Sequence, residues 1–171
     1  CEEAASWPND LSVAVNLSAR QFQQHDLVRE IDLALSSTGL DPSLLCLEIT
    51  ESVAMDDIER TIRVLNELKM LGVRLAIDDF GSGYSSLNYL KRLPVNELKI
   101  DKSFVRQVAS DARDEVIVGM TVQLGHEFAL SVVAEGVEDE IALATLRRLG
   151  CDVVQGYRLG RAMPAEAVTR W

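Results

Sequence analysis

Asn16, Glu48, Asp78, Asp79, Lys99, Asp101, Glu135 and Gln155 each fall at or beside the end of a short apolar run, and all are residue types that hold metal ions or phosphate. A single strand-end Asp or Asn is commonly a helix cap, but a whole succession of such ends points to a shared site. Several carboxylates converging on one place repel each other and raise one another's pKa values unless cations lie between them. The only histidines are His25, in a polar stretch entering a helix, and His126, inside one. Neither belongs to a strand end, which leaves an imidazole zinc site and a Ser-His-Asp or Cys-His nucleophile without support. Oxygen ligation by Asp, Glu and an Asn carbonyl suits hard Mg²⁺ or Mn²⁺ instead. Two such ions roughly 3.5 to 4 Å apart clamp the attacking and leaving oxygens of a phosphoester.

The elements that must position these groups repeat one theme of β-branched run, turn, amphipathic stretch and glycine. Strands are expected at residues 11–17, 44–49, 73–77, 97–100, 131–134 and 152–155. Between them, four sets recur at helical spacing: Leu27, Ile31 and Leu35; Ile58, Ile62, Leu65 and Leu68; Val116, Met120, Leu124 and Phe128; Ala142, Leu146 and Leu149. Each set is expected to form the buried face of a helix. Asp56 and Asp57 mark a helix start, while Gly39, Gly72 and Gly150 stand where helices should end. Alternating strands and helices imply one α/β domain with a parallel sheet and right-handed crossovers, either wound open with helices on both faces or closed into a barrel. In a barrel, the carboxyl ends of the strands share one rim, and that rim is where such folds build active sites.

Alternation places Glu97, Lys99 and Asp101 on one side of their strand, with Leu98 and Ile100 on the other. Asp78 and Asp79 cannot both face one metal from a regular strand, so the chain must already be turning there. The loop that follows, Phe80-Gly81-Ser82-Gly83-Tyr84-Ser85-Ser86, lacks the third glycine of a dinucleotide fingerprint and the Gly-Lys-Ser/Thr ending of a phosphate-binding Walker loop. Cys46 lies inside an apolar run, which reads as core packing. Tyr84 and Tyr157 fall near strand ends, where a structural role competes with stacking on a base.

The 171 residues carry 27 acidic against 17 basic side chains, a formal charge of −10, with 47% hydrophobic and 26% charged residues. This composition supports a substantial core and argues against disorder. The acidic balance and the lack of a basic run argue against duplex binding, and no DNA binding is expected. Cys1, Cys46 and Cys151 show neither a disulfide framework nor zinc-ribbon spacing, so a reducing, cytoplasmic setting is expected. The apolar stretches at residues 44–47 and 129–134 are strand-sized, short of the roughly 20 residues that span a bilayer, and no membrane contact is expected from this segment. A first residue of Cys rather than Met implies that something upstream has been removed or left out.

Six stretches carry a resemblance. Val15-Asn16-Leu17-Ser18-Ala19, Leu47-Glu48-Ile49-Thr50-Glu51-Ser52, Asp78-Asp79-Phe80-Gly81-Ser82-Gly83-Tyr84-Ser85-Ser86-Leu87, Leu98-Lys99-Ile100-Asp101, Ala134-Glu135-Gly136-Val137-Glu138 and Gln155-Gly156-Tyr157 resemble, in order, the signatures of the bacterial EAL domain. The resemblance implies a modified (β/α)8 TIM-like barrel, of which this chain holds about six βα units, that hydrolyses cyclic di-GMP to linear pGpG with two Mg²⁺ or Mn²⁺ ions. It implies metal ligation by Asn16, Glu48, Asp78, Asp79 and Glu135, with Lys99 holding and helping to activate the attacking water and Asp101 supporting that lysine. Glu51 resembles the glutamate that anchors the loop after Asp79, the segment through which the family couples dimerisation to metal binding. Glu138, Gln155, Ser82 and Gly83 resemble supporting or substrate-side residues. The resemblance also implies a homodimer through the Asp79 loop region and fusion to sensory or diguanylate cyclase-like domains, one of which can tether the parent protein to a membrane.

Three departures stand out. Ser82 replaces the more usual threonine, and Ala162 stands in Gly160-Arg161-Ala162-Met163-Pro164 where proline is common. The Glu-Ala-Leu motif that names the family belongs upstream of Asn16, and Glu3-Ala4-Ala5 is too close to replace it. Residues 1–171 are therefore expected to form a partial domain without the first barrel strands, with two open sheet edges and weak or absent activity. The leading reading is a cyclic di-GMP phosphodiesterase. The alternatives are a non-hydrolytic EAL domain that binds the nucleotide or docks a protein, and another metal-dependent barrel such as an aldolase or lyase, which would explain the rim but not the ordered motifs.

Overall fold

A computed structural model describes residues 1–7, 11–82 and 87–168. In chain order the elements are α1 (Glu2–Ala5), β1 (Val13–Asn16), α2 (Ala19–Phe22), α3 (Leu27–Thr38), β2 (Leu45–Thr50), α4 (Glu51–Asp56), α5 (Ile58–Met70), β3 (Arg74–Phe80) and α6 (Leu87–Leu90). They continue through β4 (Glu97–Ile100), α7 (Lys102–Val105), α8 (Ala112–Glu127), β5 (Ser131–Glu135), α9 (Glu140–Leu149), β6 (Val153–Gln155) and α10 (Ala165–Val168). The strand positions agree with the sequence pattern. The short helices α4, α6 and α7 carry too few turns to show a period.

Every strand pairs in parallel with the next in sequence, giving the order β1-β2-β3-β4-β5-β6. Unlike an open doubly wound sheet, whose strand order reverses, this order keeps each crossover turning the same way. The sheet curls into part of a barrel, with helices alternating along its outer face. Its strands are apolar on both sides of the middle, and Leu47, Ile49, Leu75, Ile77, Leu98 and Ile100 are essentially without solvent contact. These residues meet the helices through two apolar clusters. The larger joins β2, β3, α3 and α5 around Leu65 and Leu68, and the smaller joins β5, α8 and α9 around Val122, Val132 and Leu146.

The helix boundaries follow their chemistry. Asp57 accepts from Arg60 N–H at 3.1 Å at the start of α5, and Gly39 and Gly150 close α3 and α9 in the left-handed conformation. Half of the face expected for α8 needs correcting, since Leu124 and Phe128 do pack against the larger cluster. Val116 and Met120 are 59% and 66% exposed, while Val118, Thr121, Val122 and Gly125 pack inward. Apolar residues lie on both faces of α8, so periodicity by itself does not choose between them. The sheet chooses, because Val132 of β5 sits so close to Gly125 that only a residue without a side chain fits there.

At the other end of the sheet from the strand-end carboxylates, Asp152 fixes the entry to β6. Its carboxylate accepts from Val132 N–H at 2.7 Å and lies 2.9 Å from His126 Nε2. Burial opposes the charged form, but these two partners outweigh it and hold Asp152 below the usual aspartate range. A depressed carboxylate pKa contributes stability that is present above the unfolded value and is lost as pH falls through the folded one. Asp152→Asn should therefore cost about 0.5–1 kcal/mol at neutral pH, given its partial exposure, and nothing once the solution is acid enough to protonate Asp152. Chemical denaturation at pH 7 and at the lowest pH the fold tolerates checks this, and a cost that does not shrink toward acid would contradict it.

Candidate metal centre

The carboxyl ends of β2, β3, β4 and β5 meet because register brings them level. Asn16 pairs with Glu48, Thr50 with Asp78, Lys99 with Val133, and Glu135 with Gln155. On alternate positions of β4, Glu97 and Lys99 project to the concave side, as their spacing requires. Lys99 Nζ lies 2.6 Å from Glu48 Oε1, 2.5 Å from Glu135 Oε1 and 3.5 Å from Asp78 Oδ1. Lys99, Glu48 and Asp78 are buried, at 3%, 4% and 8% exposure, so this is an interior ion network. Burial works against the Lys99 ammonium, but its hydrogen bonds to Glu135 and Glu48 and the charge of Asp78 prevail and hold its pKa above the ordinary lysine value. Burial also pushes the Glu48 carboxyl up, offset in part by Lys99.

Asp78 and Asp79 reach the same place by a break in β3. The register with β4 shifts between Ile77 and Phe80, and Asp79 takes φ +54°. A left-handed backbone is uncommon for a residue with a side chain and costs of order 1 kcal/mol, although Asp tolerates it better than most. This bulge is the turn that two adjacent aspartates need to share one side, and it occurs inside a strand that runs on to Phe80. Asp79 N–H donates to Asp78 Oδ1 at 2.9 Å, and Ser82 Oγ donates back to Asp79 O at 2.7 Å. Behind the bulge, buried Glu51 accepts Gly81 N–H at 2.9 Å and ties the loop to the start of α4.

Carboxylate oxygens of Asp78, Asp79 and Glu135 all lie within 4.8 Å of one another. Burial, then a hydrogen bond with Asp101 and the charge of Asp78, lift Asp79 above the usual aspartate range. Burial acts on Asp101 in the same direction, but the hydroxyl and N–H of Ser103 prevail and hold it low, so of the pair Asp79 takes up a proton first as pH falls. One ammonium against Glu48, Asp78, Asp79 and Glu135 leaves an excess of negative charge. The donors are all oxygen and cluster on a partly open rim, which fits a hard divalent cation and does not fit zinc held by sulfur or imidazole.

The other expected residues divide. Asn16 stands exposed beside Glu48 on the edge strand β1, and Gln155 lies opposite Glu135. Glu138 is paired with Arg106 at 3.2 Å at the surface, and Gly83 falls outside the described residues. Sequence reasoning passed over Ser103, which holds Asp101, although an Asp two residues before a Ser at a helix start is a legible capping signal. It also passed over the base of the concave face, where Arg74 and Glu97 pair at 2.5 Å beside Cys46. Burial and then Glu97 push the Cys46 thiol to about 12, which leaves it protonated and inert, as its place in the core suggests.

With this geometry in hand, comparison with known proteins gives consistent matches. A family model for the EAL domain matches residues 1–162. The bifunctional diguanylate cyclase/cyclic di-GMP phosphodiesterase MucR of Pseudomonas aeruginosa is 49% identical over 170 residues, covering 97% of this chain and 25% of MucR. The cyclic di-GMP phosphodiesterase NbdA of the same organism is 45% identical over 158 residues, covering 92% of this chain and 20% of NbdA. The chain thus spans about a quarter or less of these relatives. Among solved structures, the MucR phosphodiesterase in complex with c-di-GMP superposes with a TM-score of 0.89 at 51% identity, over 92% of this chain and 64% of that one. The EAL domain of Mycobacterium smegmatis DcpA gives 0.93 at 40% identity, over 99% of this chain and 78% of that one.

Proposed function

Since this chain belongs to the EAL domain family, we propose that the domain it comes from is a metal-dependent phosphodiesterase that opens cyclic di-GMP to linear pGpG. The observation that carries this reading is the buried Lys99 ringed by Glu48, Asp78 and Glu135, with Asp79 beside them on the strand-end rim. Asp78, Asp79, Glu135, Glu48 and Asn16 would hold two Mg²⁺ or Mn²⁺ ions. When bound, such ions supply charge neutralisation for the phosphodiester and lower the pKa of water. Lys99 keeps its proton throughout the neutral range, so it acts as a donor that orients the attacking water rather than as a base. Glu51 keeps the Asp79 loop at its height through Gly81, Asp101 stands beside Asp79, and Gln155 stands opposite Glu135 on the substrate side. Cations also resolve the charge conflict between an acidic chain and an anionic dinucleotide.

The unpaired edges β1 and β6, where Val15 and Val153 are 40% and 47% exposed, support the reading that further strands complete the barrel. Residues 1–171 would then be a partial EAL domain, attached in the parent protein to sensory or cyclase-like domains. No helix among the described residues is long and apolar enough to cross a membrane. A cytoplasmic setting is the one in which the nucleotide would be met.

We assign the uncovered face of α8 to a second copy of the chain. Leu87, Ile117, Met120 and Leu124 line an apolar cleft of about 520 Å³ that reaches Phe80, the residue following Asp79. Continuity with the metal-bearing strand makes this face the place where pairing of two copies would bear on the site. Met120→Glu should convert a dimer to a monomer by light scattering, and an unchanged mass would count against the assignment.

The deciding assay incubates cyclic di-GMP and Mn²⁺ with this chain and, separately, with a version extended upstream through additional strands. Release of pGpG by the extended protein is the expected outcome. Nucleotide binding without pGpG would replace the enzyme with a non-hydrolytic binding module, and robust turnover by the short chain would remove the partial-barrel reading.

A further inference from the structure

Two glycines bring together the loops that leave β4, β5 and β6, and neither is accounted for by the proposed metal ligands. Gly156 directly follows Gln155. A β-carbon there would lie 2.8 Å from the carbonyl carbon of Val137 and closer still to Val137 N and O. These are backbone atoms, so no change of rotamer relieves the collision. The close approach is put to use, because Val137 N–H donates to Gln155 O at 3.0 Å and Arg158 N–H donates to Val137 O at 3.0 Å. Val137 itself is fully buried, in the apolar cluster with Val105 and Val108, so the segment just behind Glu135 is gripped from both sides. On the opposite flank Gly136, at φ +71°, turns against Lys102, whose Cβ would stand 2.8 Å from a β-carbon. Lys102 follows Asp101. The three loops therefore stack at backbone contact and hold Asp101, Glu135 and Gln155 on one fixed spacing.

We infer that Gly156 is a positioning residue of the rim: by admitting the backbone of Val137 it sets the placement of Glu135 and Gln155 relative to Lys99 and Asp78. This rests on the metal-site reading above. A glycine needed only for stability would cost stability when replaced, whereas a positioning glycine costs metal affinity in a folded protein.

The test compares Gly156→Ala with Gly125→Ala, whose β-carbon would strike Val132 in the core, away from the rim. Mn²⁺ affinity is measured by calorimetry, thermal midpoint in chelator, and cyclic di-GMP turnover in the extended protein. Gly156→Ala should bind Mn²⁺ at least about tenfold more weakly, with kcat falling by about a hundredfold and KM changing much less. Gly125→Ala should melt lower but keep wild-type Mn²⁺ affinity. If Gly156→Ala does not fold, Gly136→Ala takes its place: it should weaken Mn²⁺ binding, and adding Lys102→Gly should recover only the part due to the Lys102 contact, because the left-handed backbone at Gly136 still disfavours alanine. Wild-type affinity in Gly156→Ala or in Gly136→Ala, or an equal loss in Gly125→Ala, overturns the inference. A wild-type protein that binds no Mn²⁺ overturns the metal reading instead.

Discussion

Replacing Lys99 by methionine is expected to lower the stability of the metal-free protein by about 3–5 kcal/mol. The methionine fills the volume of the lysine stem but leaves Glu48, Asp78 and Glu135 facing one another with no cation between them. For a domain of this size the midpoint should fall by roughly 6–20 °C. The loss has a pH signature. Burial already holds the Glu48 carboxyl above its usual range and Lys99 offsets this, so without the lysine the penalty on charged Glu48 is absent in acid and appears as pH rises through the raised value. Lys99→Met should therefore lie close to the wild type near pH 4 and diverge from it toward pH 7. Mn²⁺ at a hundredfold excess over its dissociation constant should return about 2.7 kcal/mol. If Lys99 is the donor proposed to orient water, turnover should not return with it, at a cost of about 10²–10⁴-fold. Calorimetric melts in chelator and in Mn²⁺, paired with a pGpG assay, separate these effects. An unchanged midpoint in chelator would show that the ion network carries none of the stability.

Asp79→Asn should do the opposite to stability and the same to activity. In the metal-free protein, Asp79 is pressed upward in pKa by burial, by Asp101 and by Asp78, so its charge is a liability at neutral pH. Asparagine tolerates the φ of +54° at this position and donates an N–H to the Asp101 carboxylate. A gain of about 0.5–1 kcal/mol is expected at pH 7, discounted for partial exposure. The same substitution removes a carboxylate from the cluster of Asp78, Asp79 and Glu135, one of the ligands proposed for the metal. If the ions supply about 4 kcal/mol of transition-state stabilisation, turnover falls roughly a thousandfold, and Mn²⁺ binding weakens with it. Retained Mn²⁺ affinity would remove Asp79 from the ligand set, and a lower midpoint in chelator would show that its hydrogen bonds outweigh its charge. Opposite signs for Lys99→Met and Asp79→Asn would mark the site as one whose electrostatics are arranged for a cation at the expense of the empty protein's stability.

The chemistry of this site was legible in the chain because it is written at strand ends, where an alternating apolar run stops at a polar residue. Asn16, Glu48, Asp78, Lys99, Glu135 and Gln155 stand at the ends of single strands, a local property legible from period-two alternation, whereas Asp79 joins them only through the bulge in β3; the parallel order follows from strands and helices taking turns. The same locality explains the error on α8. A helix with apolar residues on two faces buries the one its neighbours can accept, and Gly125 against Val132 decided it.

What sequence determined by itself was therefore the set of polar groups at the strand ends and the elements that carry them. The tertiary structure decided how those groups are balanced, because every deciding contact crosses between strands or loops distant in the chain. Parallel register sets Lys99 among three carboxylates, the bulge in β3 turns Asp79 beside Asp78 and Asp101, Glu51 reaches the amide of Gly81, and the backbone of Val137 lies on Gly156. Charge, burial and close approach act through space, and they acquire values only when the fold fixes the distances.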